Sequence, residues 1–215
     1  MKFPFLTSFI VFLFILQHYI HKGNKISEKQ ENEFWDREYS ANDVRKKSLD
    51  DLVYITFHAE PFYPLTLLGA ESCPEFLAKN PEVQNILSRL LFLEEQKIVN
   101  LTEYTNTDLK FKYGVANLNL LTDYDTNYNE LITLLHNYGD ILFKESYPEQ
   151  ALSVLEYAVS IGTDISATYT LCAKIYQENH QWDKLNLLKK EAEKISTSRK
   201  DSIVRKLQEF DPCNG

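Results

Sequence analysis

The sequence predicts a mainly α protein. It reads as one apolar helix at the amino terminus, a small α+β module with a β-hairpin, and a carboxy-terminal stack of helical hairpins closed by a capping helix. Three observations predict this. Phe3 to Ile20 is apolar, with no charge between Lys2 and Lys22. Leu109, Phe111 and Tyr113 alternate with lysines. From Ile132 onward the chain matches itself at a shift of 34 residues, Gly139 falling on Ala173.

The chain has 215 residues, 44% of them hydrophobic, enough for a domain with a sizeable core. Lys plus Arg number 23 and Asp plus Glu 31, a formal net charge of −8. An acidic chain is a poor general nucleic-acid binder, because that affinity rests on Lys and Arg neutralising phosphates. With 6 Gly and 7 Pro, the collagen-like and low-complexity classes are excluded. Cys73, Cys172 and Cys213 are odd in number, far apart and without a CxxC, so neither a disulfide framework nor a zinc site is indicated.

The amino-terminal run reads FPFLTSFIVFLFILQHYI. A helix of that length reaches ~27 Å, just short of the ~30 Å hydrocarbon core of a bilayer. Residues 1–22 are therefore expected to be a transmembrane anchor in a single-pass protein. A cleaved signal peptide is the competing reading, but QHYIHKGNK after the run offers no A-x-A-like site. Lys22, Lys25 and Lys29 follow the run and only Lys2 precedes it, which by the positive-inside tendency puts the carboxy-terminal domain in the cytoplasm. The polar stretch 23–40 reads as a linker, or as a helix continuing out of the membrane. Asn100-Leu101-Thr102 is a glycosylation sequon that matters only in a secretory lumen.

Residues 41–125 form the middle module. Leu49–Phe57, reading LDDLVYITF, suits helix or strand. Asn80-Pro81-Glu82 is a helix start, Asn at the cap and Pro at the first helical position. Val83, Ile86, Leu87, Leu90 and Leu91 then recur at helical spacing to about Glu95. Ile98, Leu101 and Tyr104 precede the turn-rich Thr105-Asn106-Thr107-Asp108, and the alternating Leu109–Tyr113 follows. This pattern predicts a β-hairpin over about 97–113, ended by Gly114.

Residues 126–210 hold the repeat. At the shift of 34, Gly139 and Ala158 fall on Ala173 and Ala192, while Leu135, Leu142 and Ile161 fall on Tyr169, Tyr176 and Ile195. Such a period is two short antiparallel helices plus turns. Gly139 and Ala173 let the helices of a pair approach closely; Ala158 and Ala192 do so toward the next pair. Tyr147-Pro148-Glu149 and Gln181-Trp182-Asp183 make the turns. Asp201–Phe210, apolar at Ile203, Val204 and Leu207, reads as the capping helix that a short stack needs. Ordinary helical hairpins with chance spacing are the bland alternative.

On these residues, Ile132–Arg199 resembles two tandem tetratricopeptide (TPR) repeats, 132–165 and 166–199. The family's small and bulky positions fall on Gly139, Leu142, Ala151, Leu155 and Ala158, then on Ala173, Tyr176, Leu185, Lys189 and Ala192. Leu142 and Leu155 are apolar but not aromatic, Leu185 and Lys189 depart further, and Thr163 and Thr197 stand where Pro is usual. The resemblance implies a scaffold or adaptor that binds a peptide or partner domain in a concave groove. The groove positions it implies are Thr133, His136, Asn137, Asp140, Phe143, Thr170, Lys174 and Gln177; Gly139, Ala151, Ala158, Ala173 and Ala192 are packing positions. The family's clamp for terminal carboxylates uses Lys and Asn. Here His136 and Asp140 stand in that region, so a mixed polar peptide fits better. The alternative reading is a structural or assembly subunit of a membrane complex, making contact through Phe57, Phe62, Tyr63 and Phe76.

Catalytic patterns are missing from the sequence. There is no HExxH, GxSxG, GxxxxGK[ST] or GxGxxG. Cys73-Pro74 with His58 has no supporting motif, and a lone Cys is usually a buried small hydrophobe. The basic cluster from Lys189 to Lys206 suits helix C-termini better than a separate anionic site. The expectation is a non-enzyme without metal or cofactor, whose partners are proteins and, through the first helix, a membrane, and not nucleic acid.

Overall fold

The computed structural model describes residues 4–64, 66 and 79–210. Among them are eight α-helices: α1 Pro4–Asn42, α2 Pro81–Glu94, α3 Asn106–Tyr113, α4 Leu118–Lys144, α5 Pro148–Ser160, α6 Ser166–Glu178, α7 Trp182–Ala192 and α8 Lys200–Gln208. Two short 3-10 turns lie at Glu60–Phe62 and Val115–Asn117. The chain divides into two compact units, Met1–Ser48 with Thr105–Leu118, and Leu49–Tyr104 with Asn119–Gly215.

In the first unit, α1 is a single helix of 39 residues. It starts in the apolar run and continues through 23–40, the stretch read as a linker or as a helix continuing the run. No Pro follows Pro4 within it, and Gly23 is its one weak helix former of that kind. The expected transmembrane anchor over 1–22 is overturned, and with it the single-pass membrane location and the cytoplasmic placement. Among the described residues, no helix is long and apolar enough to cross a membrane; residues 1–3 of that expectation lie outside them. The reason is the brevity of the run. Its unbroken apolar part, Phe9–Leu16, makes only about 12 Å of helix, after which Gln17, His18, His21, Lys22 and Lys25 follow on the same element.

The expected β-hairpin over 97–113 is also overturned: among the described residues there is no strand. Residues 106–113 are helix α3. The Asp108 N–H donates to the Thr105 hydroxyl at 3.2 Å, and the Thr105 N–H donates to the Asp108 carboxylate at 3.0 Å. This capping box starts a helix with the residues that had read as a turn. Leu109 and Tyr113, four apart, share a buried face, whereas Phe111 points elsewhere and is half-buried.

Helix α3 packs on α1. Glu38 of α1 accepts from the Lys110 ammonium at 2.6 Å and from the Thr107 hydroxyl, and Arg37 pairs with Asp108. The Lys110 bond, then the Thr107 bond, hold the Glu38 carboxyl below its ordinary range. Gly114 ends α3 at φ +83°, and a Cβ there would strike the Arg45 backbone.

In the second unit, Leu49–Phe57 is neither helix nor strand; the Ile55 N–H reaches the Ile98 carbonyl at 2.9 Å without extending into a ladder. Helix α2 begins where Asn80 accepts from the N–H groups of Glu82 and Val83 at 2.9 and 3.4 Å. It buries Val83, Ile86, Leu87, Leu90 and Leu93 in one core shared with α4–α8. Phe57 and Phe62 stack at 5.7 Å, and both lie against the Tyr157 ring. They are interior, not an exposed contact surface. Tyr63 is half-buried, and Phe76 lies outside the described residues, as does Cys73-Pro74.

Helices α4–α7 repeat their backbone geometry at the spacing seen in the sequence. The ends of α4 and α6 differ by 178 − 144 = 34, and the starts of α5 and α7 by 182 − 148 = 34. Between them, Ser146 and His180 occupy the left-handed region at φ 68° and 55°. The Tyr147 N–H reaches back to the Leu142 carbonyl at 2.9 Å, and the Gln181 N–H to the Tyr176 carbonyl at 2.8 Å. Ser146 and His180 in turn bond Phe143 and Gln177. Both turns are thus the same Schellman cap, which satisfies carbonyls that a helix end leaves free.

Gly139 lies so close to α5 that a Cβ on it would be 2.6 Å from Leu155 Cγ and Cδ2. Ala151, Ala158, Ala173 and Ala192 are all fully buried. Helix α8 packs on α6 and α7, burying Ile203 and Leu207.

Candidate functional site

The predicted groove residues stand on α4 and α6. Helix α4 carries Thr133, His136, Asn137, Asp140 and Phe143; α6 carries Thr170, Lys174 and Gln177. Beside their shared core, two side-chain contacts between the helices are seen among the described residues. The Lys174 ammonium sits 4.9 Å from the centre of the Phe143 ring. The His136 Nδ1 and the Thr168 hydroxyl are 3.1 Å apart.

The face is electrically balanced by neighbours on the same helices. Asp140 accepts from Lys144 at 2.6 Å, one turn on. Lys174 lies 4.0 Å from Glu178 in the same relation. Asp140 and Lys174, both expected to line the groove, therefore pair with other groups and not with each other. Asp140 raises the Lys144 ammonium above its ordinary value, chiefly through their hydrogen bond. Burial lowers His136 below its ordinary value; Asp140 opposes that and Lys144 adds to it, so the neutral imidazole is favoured.

Thr133 and Thr170 turn inward on their own helices: Thr133 donates to the Asn129 carbonyl at 2.7 Å and Thr170 to the Ala167 carbonyl at 3.0 Å. Asn137 and Gln177 are exposed. Each amide can both donate and accept a hydrogen bond.

Thr168, missed in the sequence, is fully buried, and its hydroxyl supplies the second link between α4 and α6. Its counterpart at the shift of 34 is Leu134, so no periodic signal could have found it. Lys144 and Glu178 were missed for a different reason: they act only by neutralising Asp140 and Lys174.

Away from this face, a cavity of about 340 Å³ is lined by Asn100, Thr102, Ser160, Tyr169 and Glu191, among others. Asn100, the sequon residue, is tied into the fold. Its Nδ2 donates to the Tyr128 hydroxyl at 2.9 Å, which donates to the Gly162 carbonyl at 2.8 Å. Its Oδ1 accepts the Thr102 hydroxyl at 2.7 Å. The Cys172 thiol is fully enclosed, and burial pushes it far above its ordinary range, so it is no nucleophile. Among the described residues, no three His, Cys, Asp or Glu side chains are placed to hold a metal ion. Comparison with known protein families, with curated proteins and with solved structures finds no match to this chain.

Proposed function

We propose that this chain is an interaction protein of TPR-like build that holds an extended peptide or a partner domain against the α4–α6 face. The observation that carries the reading is the pair of superposable Schellman turns 34 residues apart, Leu142–Tyr147 and Tyr176–Gln181. The matching turns support a reading in which α4 and α6 run side by side with one stripe of each turned toward a partner. Helices that are already ordered need little further ordering when a ligand binds, and that preorganisation preserves affinity.

The chemistry of the stripe supports a polar, mixed partner segment. Asn137 and Gln177 can pair with a peptide backbone, and the Phe143 ring under Lys174 offers an apolar patch with a cation above it. Asp140 and Lys174 are partly exposed and can exchange their same-helix partners for groups on a ligand.

The test replaces Asp140 and Lys174 together by Ala. Exposed pairs of this kind contribute about 0–1 kcal/mol, so the double variant keeps its fold by circular dichroism and urea titration. Partner capture, measured by crosslinking from cells expressing the full chain, is expected to fall strongly. Undiminished capture of the same proteins by the folded variant would rule the face out.

A further inference from the structure

The cavity of about 340 Å³ lies in the second unit and shares no residue with the α4–α6 stripe. It opens where the two repeats end. Ser160 and Gly162 line it, and so do Lys194 and Ser196, which hold the same places one repeat later. Helix α5 finishes at Ser160 and α7 at Ala192, so both bring their carboxy-terminal ends to its wall. Such ends carry carbonyls without partners inside the helix and roughly half a negative charge each.

Two carboxylates add to this field. Glu191 is held by Lys194, whose ammonium lies 2.7 and 2.8 Å from its two oxygens. Glu103, on the loop that forms a third wall, makes no hydrogen bond or ion pair among the described residues, and neither does the Ser196 hydroxyl. Two carboxylates against one ammonium leave the lining with a formal charge of −1 before the helix ends are counted. The rest of the lining includes Val159, Ile195 and the Tyr169 ring. The Tyr169 hydroxyl is committed, donating to the Thr163 carbonyl at 3.0 Å.

We propose that this pocket is a second binding site, which takes a guanidinium or ammonium head carried on an aliphatic stem. Glu103 supplies the open charge, and the Ser196 hydroxyl and the helix-end carbonyls accept further N–H groups. Val159 and Ile195 flank the stem, as apolar walls do for the methylenes of long cationic side chains. A guanidinium suits the pocket better than an ammonium, because its five N–H donors meet acceptors on several walls at once. The volume is at the low end for ligand sites, which fits one side chain better than a large cofactor. Anions are disfavoured, since Lys194, the cation of the lining, is already engaged. The head belongs either to an arginine side chain of a partner protein or to a free alkylguanidine. The chemistry is the same, and the experiment separates the two.

The full chain, labelled with nitrogen-15, is titrated by NMR with arginine blocked at both ends and with its neutral citrulline counterpart. Saturable shifts are expected at the amides of 100–103, 159–162 and 191–197, with citrulline binding at least several-fold weaker. Added salt should weaken the arginine complex, as it screens exposed charges. Glu103→Gln should weaken arginine binding several-fold. Lys194→Gln frees Glu191 and should tighten it. Both side chains are exposed, so both variants keep the fold, which their unchanged spectra elsewhere will check.

Tighter binding of blocked arginine than of butylguanidine assigns the head to a protein side chain; equal or tighter butylguanidine binding assigns it to a free guanidine. Either result supports the site. Absence of saturable shifts at these amides overturns the proposal, as does citrulline binding as tightly as arginine. Unchanged affinity in Glu103→Gln, or weaker binding in Lys194→Gln, overturns it too. Capture through the α4–α6 face is read with Asp140 and Lys174, so the two sites stand or fall separately.

Discussion

Replacing Gly139 by Ala tests the closest helix approach in the stack. An added methyl would lie 2.6 Å from both Leu155 Cγ and Cδ2 and 3.3 Å from Cδ1. Favourable carbon contacts lie at ~3.5–4.0 Å, so α4 and α5 must part or Leu155 must leave its rotamer. Leu155 is fully buried and has no solvent side to turn toward.

Overpacking of this kind costs about 2–3 kcal/mol at a tight site. Removing a helix-interior glycine returns up to about 1 kcal/mol. The net expectation is a loss of about 1–3 kcal/mol, read as a lower urea midpoint with an unchanged slope. The decisive comparison is made in a Leu155→Ala background, where the obstructing atoms are gone. There the same glycine substitution should be neutral or stabilising by up to about 1 kcal/mol. Equal destabilisation in both backgrounds would show that the small residue at 139 is not required by Leu155, and the packing argument would fail.

Two further outcomes follow from local geometry. Ser146→Gly and His180→Gly should each stabilise the chain by about 0.5–1 kcal/mol in thermal melts, because the left-handed cap strains a residue with a Cβ and the gain outlasts glycine's added unfolded-state freedom. Glu94 accepts the Ala59 N–H and bonds His58, which, in that order of effect, lower its carboxyl from the ordinary 4.5. A carboxyl lowered on folding stabilises above its unfolded value and loses that contribution as pH falls through the folded one. Glu94→Gln should therefore be less stable than the parent at pH 6, with the gap closing as pH falls below 4.5; a gap that stays constant down to pH 3 would contradict this.

The carboxy-terminal half was legible because its signal is redundant. Gly139, Ala158, Ala173 and Ala192 mark close approaches, and the same spacing places both turns. The helix at Pro81 was legible from a single cap, because Asn80 and Pro81 leave the chain few other choices. The hairpin failed where one chemistry serves two structures. Thr105 and Asp108 offer side-chain acceptors to free N–H groups, which suits a turn and a helix start alike. The three-residue spacing of a capping box was present, and a short alternation of lysines outweighed it.

The amino-terminal reading failed on length. Counting Phe3–Ile20 as one span gave it about 27 Å, whereas the unbroken apolar part ends at Leu16 and polar residues continue the same helix to Asn42. Thr168 had no sequence signal, since it acts through one contact that only the fold creates.

The repeat also separates what packing dictates from what it leaves open. At equivalent places inside the stack, Gly139 matches Ala173 and Ala158 matches Ala192, because space between the helices sets the size. On the proposed groove stripe the matching breaks down: Asp140 stands opposite Lys174, His136 opposite Thr170, and Phe143 opposite Gln177. The backbone is therefore a near-copy of itself while the face is not. On the proposed reading this asymmetry has a use. Two identical stripes would accept a segment in either direction, whereas a carboxylate on one and an ammonium on the other discriminate between the two orientations of a polar peptide. Reversing the charges, Asp140→Lys with Lys174→Asp, should then weaken capture of the native partner as severely as removing both. Single reversals that leave the original affinity intact would show the face to be indifferent to direction.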